Sequence, residues 1–406
     1  MIDRRNFVAM TAASYQRVLG ANEKLRVANI GCGRRGLLKE LIQVRDAAGI
    51  EISAVCDIWK QRREKAAADV KEFTGVNARQ VHDYMEVLAD KTIDAVIIGT
   101  PDHQHCTMLI EAIRAGKDVY IEKPLAMNMK ELIRAYDAVK KSDRIVQVGT
   151  QMRSYKQAAG AKQLIASGGL GKVLKVEQVR NGYSPYWMSY GGREYFDSPP
   201  TEQDTDWKAF LMGQRSRPFN AKQYQGWFGF RDFSRGPHTN LAVHFFDIAH
   251  YLTGAQFPRR AVAMGGTFRW KDEYDAPDSV EIVFEYAEGF LVRYCTVFGT
   301  GAGNYAKWFG TRGTLDARSL SARESWMVSG QGSGEPDRVK EEFAVPESEP
   351  VPHMQNFLEC VRTRKEPLAP IEAGYGHSVA CIMADDAMTS GRRMVYDHSK
   401  RDIHPG

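Results

Sequence analysis

The chain has 406 residues, of which 43% are hydrophobic and 26% charged, and carries a formal net charge of +5. That length exceeds what one small core organises and points to two domains. The basic excess is dispersed along the sequence, so no nucleic-acid-binding surface is indicated, and no apolar run reaches the length of a bilayer-spanning helix.

At the N-terminus, MIDRRNFVAMTAAS places Arg4-Arg5 ahead of Phe7 and small apolar residues. The pattern reads as a twin-arginine-like export signal over residues 1–24, with a weak small-residue cleavage site at Leu19-Gly20-Ala21. A periplasmic protein is the expectation; an unprocessed cytoplasmic arm is the alternative. The six cysteines show no CxxC and mostly lie in apolar segments, as small core residues do.

LRVANIGCG (25–33) is a β-branched run ending in glycines, followed by a helical segment and then by EISAVCD (51–57). Strand, glycine-rich turn, helix and acid-ended strand form a βαβ unit. Within GCGRRG, Gly31 permits a tight turn, Gly33 admits a pyrophosphate to backbone N–H groups, and Gly36 allows close helix–strand packing. Cys32, Arg34 and Arg35 belong to the same expected phosphate loop. Asp57 is placed to accept hydrogen bonds from the adenosine ribose and to repel a 2′-phosphate, which favours NAD over NADP; Arg62 nearby softens that repulsion.

Alternation then continues through DAVIIGT (94–100), a helix over 103–116, DVYIEKP (118–124), a helix over 129–142 and RIVQVGT (144–150). Apolar strands separated by helices predict a doubly wound parallel sheet, with ligands beyond the strand carboxyl ends. Those ends carry Thr100-Pro101-Asp102, Glu122-Lys123-Pro124 and Gly149-Thr150-Gln151.

GCGRRG, the acid-ended second strand, Thr100-Pro101 with His105 (TPxxxH) and Glu122-Lys123-Pro124 together resemble the Gfo/Idh/MocA oxidoreductases, from about Leu25 almost to the C-terminus. CDIWKQRR and DTDWKAFLMG look like an exported, sugar-acting bacterial branch. The resemblance implies an α/β protein: an N-terminal Rossmann domain (25–150), an α+β domain with a large open mixed sheet for substrate binding and oligomerisation (151–370), and a C-terminal helix and tail (371–406). A homodimer or homotetramer through the open sheet is implied. Strands are predicted at 171–182, 259–270, 278–289 and 290–299, with YAEG joining the last two as a hairpin. A flexible break is expected near 329–337, with helices near 352–364 and 372–391.

For the chemistry, the resemblance makes Lys123 a catalytic-site lysine and places the cofactor against Thr100, Pro101, His105 and Glu122. The stretch TNLAVHFFDIAH sets Asn240, His244, Asp247 and His250 on one helical stripe. The family helix D-x-G-x-H-x-x-D puts His244 at its histidine and Asn240 at its first aspartate, so a simple Asp–His relay is missing, because an amide takes no proton at neutral pH. His244 is the acid/base candidate, and Asn240 orients it or binds a substrate hydroxyl. Neither HExxH nor a third ligand accompanies the stripe, so no metal is expected. Arg153, Tyr183, Tyr186, Trp187 and Trp207 are candidate substrate contacts.

Three functions are compatible with these residues. One is an NAD-dependent dehydrogenase of a sugar, glycoside or cyclitol. Another is a redox-neutral NAD-dependent glycoside hydrolase or lyase that oxidises C3 transiently, as in glycoside hydrolase family 109. The third is a non-catalytic NAD-binding protein.

Overall fold

The computed structural model describes residues 24–185, 199–318, 320–349 and 351–406. The expected leader, apart from Lys24, lies outside these residues, as do Tyr186 and Trp187.

Six strands, β1 (Leu25–Ile30), β2 (Ile50–Cys56), β3 (Arg79–Val81), β4 (Ala95–Ile98), β5 (Asp118–Ile121) and β6 (Val146–Val148), form an all-parallel sheet in the order β3-β2-β1-β4-β5-β6. Strands β4, β5 and β6 are buried at every position, which is why they read as unbroken apolar runs. Helices α1 (Leu37–Ala48), α2 (Lys60–Thr74), α3 (Tyr84–Ala89), α4 (His105–Arg114) and α5 (Met129–Lys140) connect them. The strand order reverses between β1 and β4, and that switch point opens a crevice at their carboxyl ends.

A helix α6 (Ala158–Ala166) leads into a ten-stranded mixed sheet. Its centre is β7 (Val173–Val179), β8 (Arg260–Gly266), β9 (Ser279–Glu285) and β10 (Leu291–Val297), close to the predicted ranges. The YAEG connection is observed, with Gly289 at φ 86°. Sequence reasoning missed β11 (Tyr305–Gly310), β12 (Thr314–Asp316), β13 (Met327–Ser329), β14 (Phe343–Ala344), β15 (Met394–Asp397) and β16 (Asp402–Pro405). Most are two to four residues long, too short for a period-two pattern to register. The segment expected as a break is the loop between β13 and β14, tied by Val339 N–H to the Arg312 carbonyl.

Between β7 and β8 the chain forms α7 (Trp207–Leu211), α8 (Ala221–Gln225), α9 (Pro237–Asn240) and α10 (Ala242–Thr253); α11 (His353–Thr363) and α12 (Ile371–Ser390) follow β14. A division at 370 follows chain order rather than packing. The apolar face of α11 (Met354, Phe357, Leu358 and Val361) joins Leu37, Leu41 and Tyr120 in a core of the parallel-sheet domain. Beyond α12, β15 and β16 extend the second sheet. A larger core runs without interruption from Val96 and Val148 of the first sheet through Val379 and Met383 of α12 to Phe284 and Tyr294 of the second.

Candidate active site

A cavity of about 880 Å³ occupies the crevice at the switch point. It is lined on one side by Gly31, Gly33, Arg34, Arg35, Asp57, Arg62, Thr100, Pro101, Glu122 and Lys123, and on the other by Asn240 and His244. Residues from both domains therefore meet there.

The phosphate loop fits a dinucleotide. Gly31 has φ 86°, and a Cβ there would lie 2.7 Å from the Gly99 carbonyl oxygen. A Cβ on Gly33 would meet nothing nearer than the Arg62 guanidinium at 3.7 Å, so the space before the loop is open at the N-terminus of α1. Gly36 differs from expectation: it is required by its φ of 75° at the helix start, while the close helix–strand approach occurs at Gly99, where a Cβ would fall 2.7 Å from Leu37 Cδ1. Cys32 contributes only backbone, because its thiol turns inward towards the Cys56 carbonyl.

Asp57 is fixed by two backbone donors, Cys32 N–H to Oδ2 at 2.8 Å and Trp59 N–H to Oδ1 at 2.9 Å. Each oxygen keeps a lone pair for a ribose hydroxyl, and the carboxylate cannot swing away from a 2′-phosphate. Arg62 lies over the Trp59 ring, 4.8 Å from its centroid, and 5.6 Å from that of Tyr224. Replacing Asp57 with Ser is expected to weaken NAD binding about 10- to 100-fold, since charge-assisted hydrogen bonds contribute about 1.5–3 kcal/mol. NADP affinity should hold or rise. Calorimetric titration with both cofactors checks this; an unchanged NAD:NADP ratio would assign the discrimination elsewhere.

Arg35 joins the phosphate loop to the end of β5, donating from Nε to Glu122 Oε1 at 2.7 Å and from Nη1 to Glu40 at 2.7 Å. Lys123 follows Glu122 and enters a cis peptide to Pro124. Its Nζ donates to the Asn240 carbonyl at 2.9 Å and to Asn240 Oδ1 at 3.2 Å. Burial lowers the Lys123 pKa, with Glu122 and Asp102 acting in the opposite sense.

His244 lines the same cavity on α10, and its buried Nδ1 has no hydrogen-bond partner among the described residues. Burial first, then the Lys123 and Arg35 cations, hold the imidazole well below its ordinary pKa, so it is neutral at neutral pH. The expected polar stripe does not exist as a seam. Helix α9 is a separate short turn starting at Gly236-Pro237, so Asn240 faces Asp102 and Lys123. On α10, Asp247 accepts from Arg153 and His377, while His250 Nε2 lies 2.7 Å from Tyr286 Oη.

Several expected contacts lie elsewhere. His105 is buried outside the cavity wall, its ring nitrogens 2.7 Å from the Pro124 carbonyl and 2.8 Å from that of Thr100. It braces the ends of β4 and β5. Arg153 also lies off the cavity, held bidentate by Asp247 at 2.8 Å on each arm. Tyr183 is 81% exposed and does not line the cavity, although Gly182 and Ser184 do. Trp207 is core, stacked on Phe210 with centroids 5.0 Å apart. Burial and pairing hold His105, Arg153 and Trp207 off the cavity wall, whereas Tyr183 is exposed. Asp102, named at a strand end but given no role there, lines the cavity, as do Arg180, Asn181 and Phe228, which carried no sequence signal.

Residues 199–235 form a strap across the nucleotide side of the cavity. Asp204 accepts from Trp59 Nε1 at 3.1 Å and Gln61 Nε2 at 3.2 Å, and its carbonyl accepts from Lys60 N–H at 3.0 Å. Asp206 pairs with His82 at 3.0 Å. The Phe210 carbonyl meets His103 at 2.7 Å and Gln104 at 2.8 Å. Trp59, Trp207, Phe210, Leu211, Tyr224 and Phe233 give the strap its own small core.

A dinucleotide cradle facing a half-buried lysine and a neutral imidazole, on a Rossmann domain joined to an open-sheet domain, defines an NAD-dependent oxidoreductase. Residues 25–150 match the family model described as "oxidoreductase family, NAD-binding Rossmann fold", and residues 212–395 match that of its C-terminal α/β domain. The chain belongs to the Gfo/Idh/MocA oxidoreductase family. It is 27% identical over 358 residues to scyllo-inositol 2-dehydrogenase (NAD(+)) of Bacillus subtilis, covering 85% of this chain and 88% of that enzyme. It is 33% identical over 197 residues to inositol 2-dehydrogenase 4 of Saccharopolyspora erythraea, covering 48% of this chain and 56% of that protein. Levoglucosan dehydrogenase complexed with NADH shares the fold at a TM-score of 0.68 and 19% identity, over 94% of this chain and 99% of that one. So does the WlbA dehydrogenase of Bordetella pertussis, solved with NADH and UDP-GlcNAcA, at 0.68 and 19%, over 92% and 99%.

Proposed function

We propose that this chain oxidises a secondary alcohol of a sugar, glycoside or cyclitol, or runs the reverse reduction. Bound NAD supplies the hydride acceptor. Lys123 donates a hydrogen bond to the reacting oxygen and stabilises its developing negative charge, and His244, neutral before reaction, takes the hydroxyl proton. The observation that carries this reading is the opening of Lys123 and His244 into one cavity with Asp57 and the glycine loop. The inositol dehydrogenases among the relatives support the substrate class. Mixing purified protein and NAD with a panel of glycosides and cyclitols should give reduced nicotinamide, read by absorbance, with at least one of them.

The strap favours a second reading, a redox-neutral glycoside hydrolase or lyase that keeps its NAD. Three anchoring points on the nucleotide side oppose release, and the twin-arginine-like leader supports export to a compartment where free NAD is scarce. In that case NAD co-purifies near stoichiometrically and exchanges slowly against isotopically labelled NAD, while the double variant Asp204→Ala/Asp206→Ala exchanges at least about tenfold faster, matching the loss of hydrogen bonds of about 1 kcal/mol each. Rapid exchange in the parent protein excludes this reading and leaves the dehydrogenase. Exposed Val262, Met264 and Leu291 on the outer face of the large sheet support self-association there.

A further inference from the structure

Asp102 sits in the turn after β4, is 3% exposed and lines the cavity. Its carboxylate accepts from Asn240 Nδ2 at 2.8 Å (Oδ1) and 3.1 Å (Oδ2), and from Ser234 Oγ at 2.7 Å. An amide has one donor end and one acceptor end. With Nδ2 drawn to a carboxylate, Oδ1 is left facing Lys123 Nζ, 3.2 Å away, beside the Asn240 carbonyl at 2.9 Å. Those two acceptors occupy two of the three N–H groups of the ammonium and leave the third for the cavity. Were the amide reversed, its NH₂ would oppose the ammonium and turn it aside. Position 240 on α9 carries an amide, and the acid that reaches Lys123 through it stands in the turn after β4.

We propose that Asp102 is a positioning residue for Lys123: through the Asn240 amide it fixes the direction in which the ammonium presents its remaining N–H to the substrate oxygen. The assignment rests on the alcohol-oxidising reading for its purpose, but not for its test. Asp102 also holds negative charge beside the ammonium, along with Glu122. Opposing them are the Arg35 guanidinium and burial itself; the Cys381 thiol and the His244 and His377 imidazoles complete the titratable surroundings. Loss of the Asp102 charge should therefore make Lys123 give up its proton at lower pH.

The test needs no substrate. The NAD-bound protein is pulse-labelled with acetic anhydride across a pH series, and acetylation of Lys123 is quantified by peptide mass spectrometry. In Asp102→Asn the labelling midpoint should fall by about half a pH unit or more relative to the parent, the effect of one removed charge at close range. Asn240→Leu, which severs the link but keeps the carboxylate, should lower it too, and serves alone if Asp102→Asn fails to fold. An unchanged midpoint in the folded variants overturns the proposal, as does a parent Lys123 that never reacts. With a turned-over sugar in hand, Asp102→Ala and Asn240→Leu should each lower kcat about tenfold or more with KM little changed, and the double variant should lose little beyond either single one. Additive losses also count against it. If no sugar reacts, the function fails while the labelling result stands.

Discussion

Lys123→Met is expected to reduce hydride transfer about 10²- to 10⁴-fold while NAD still binds. The range is that of a general acid–base or oxyanion-stabilising group removed from a buried site. Methionine preserves much of the volume, so the cavity wall formed with Asn240 is kept while the donor is lost. Lys123→Arg should recover little, because a planar guanidinium cannot place two donors on Asn240 and a third on the substrate as a tetrahedral ammonium does. Single-turnover absorbance of reduced nicotinamide, paired with calorimetric NAD affinity, separates chemistry from binding. Near-parental turnover in Lys123→Met would remove the lysine from the mechanism.

The second large effect is on stability. Arg153→Leu should destabilise the protein by about 3–5 kcal/mol, because it leaves a buried carboxylate without its main partner. Asp247 is fully buried and, among the described residues, has only His377 besides, at 3.3 Å. Burial pushes the Asp247 carboxyl up, but Arg153 and His377 outweigh it and hold it well below the usual carboxylate range. A carboxyl depressed in the folded state adds stability above its unfolded pKa and loses it as pH falls. Without Arg153 that advantage disappears, so the gap between parent and variant should narrow as pH falls below about 4, where the unfolded carboxyl takes up a proton while the folded one in the parent does not yet do so. Denaturant unfolding at a series of pH values measures it. A variant that unfolds with the parent yet shows a raised KM would return Arg153 to the substrate-binding role read from the sequence.

These two residues also show what the sequence discloses. Lys123 is legible because it ends a buried parallel strand, where the topology forces ligands to sit. Asp57 and the glycine loop are legible for the same reason, each following directly from an apolar run. Arg153 and His105 lie off the cavity wall; residue type alone cannot tell a ligand contact from the partner of a buried carboxylate or carbonyl. Asp102 stands between a recognised proline and two histidines, but its importance depends on Asn240, far away along the chain. In the second domain, β7 to β10 alternate and are found, whereas β12 to β16 are too short for alternation to register, and β11 is placed by its pairing with distant β7. The strap is opaque for a similar reason. Its aromatic residues have no period, and their meaning comes from Trp59 on the other domain.

Helix α12 shares one apolar core with both sheets. A hinge that separated the domains would pull Val379 and Met383 from one set of partners or the other and wet surface that is dry in the folded protein. The distance from the β5 end to α10 is thereby set by the scaffold rather than by a ligand. Adaptation to a new sugar therefore falls to the loops at the rim of the cavity, leaving the spacing of the reactive groups untouched.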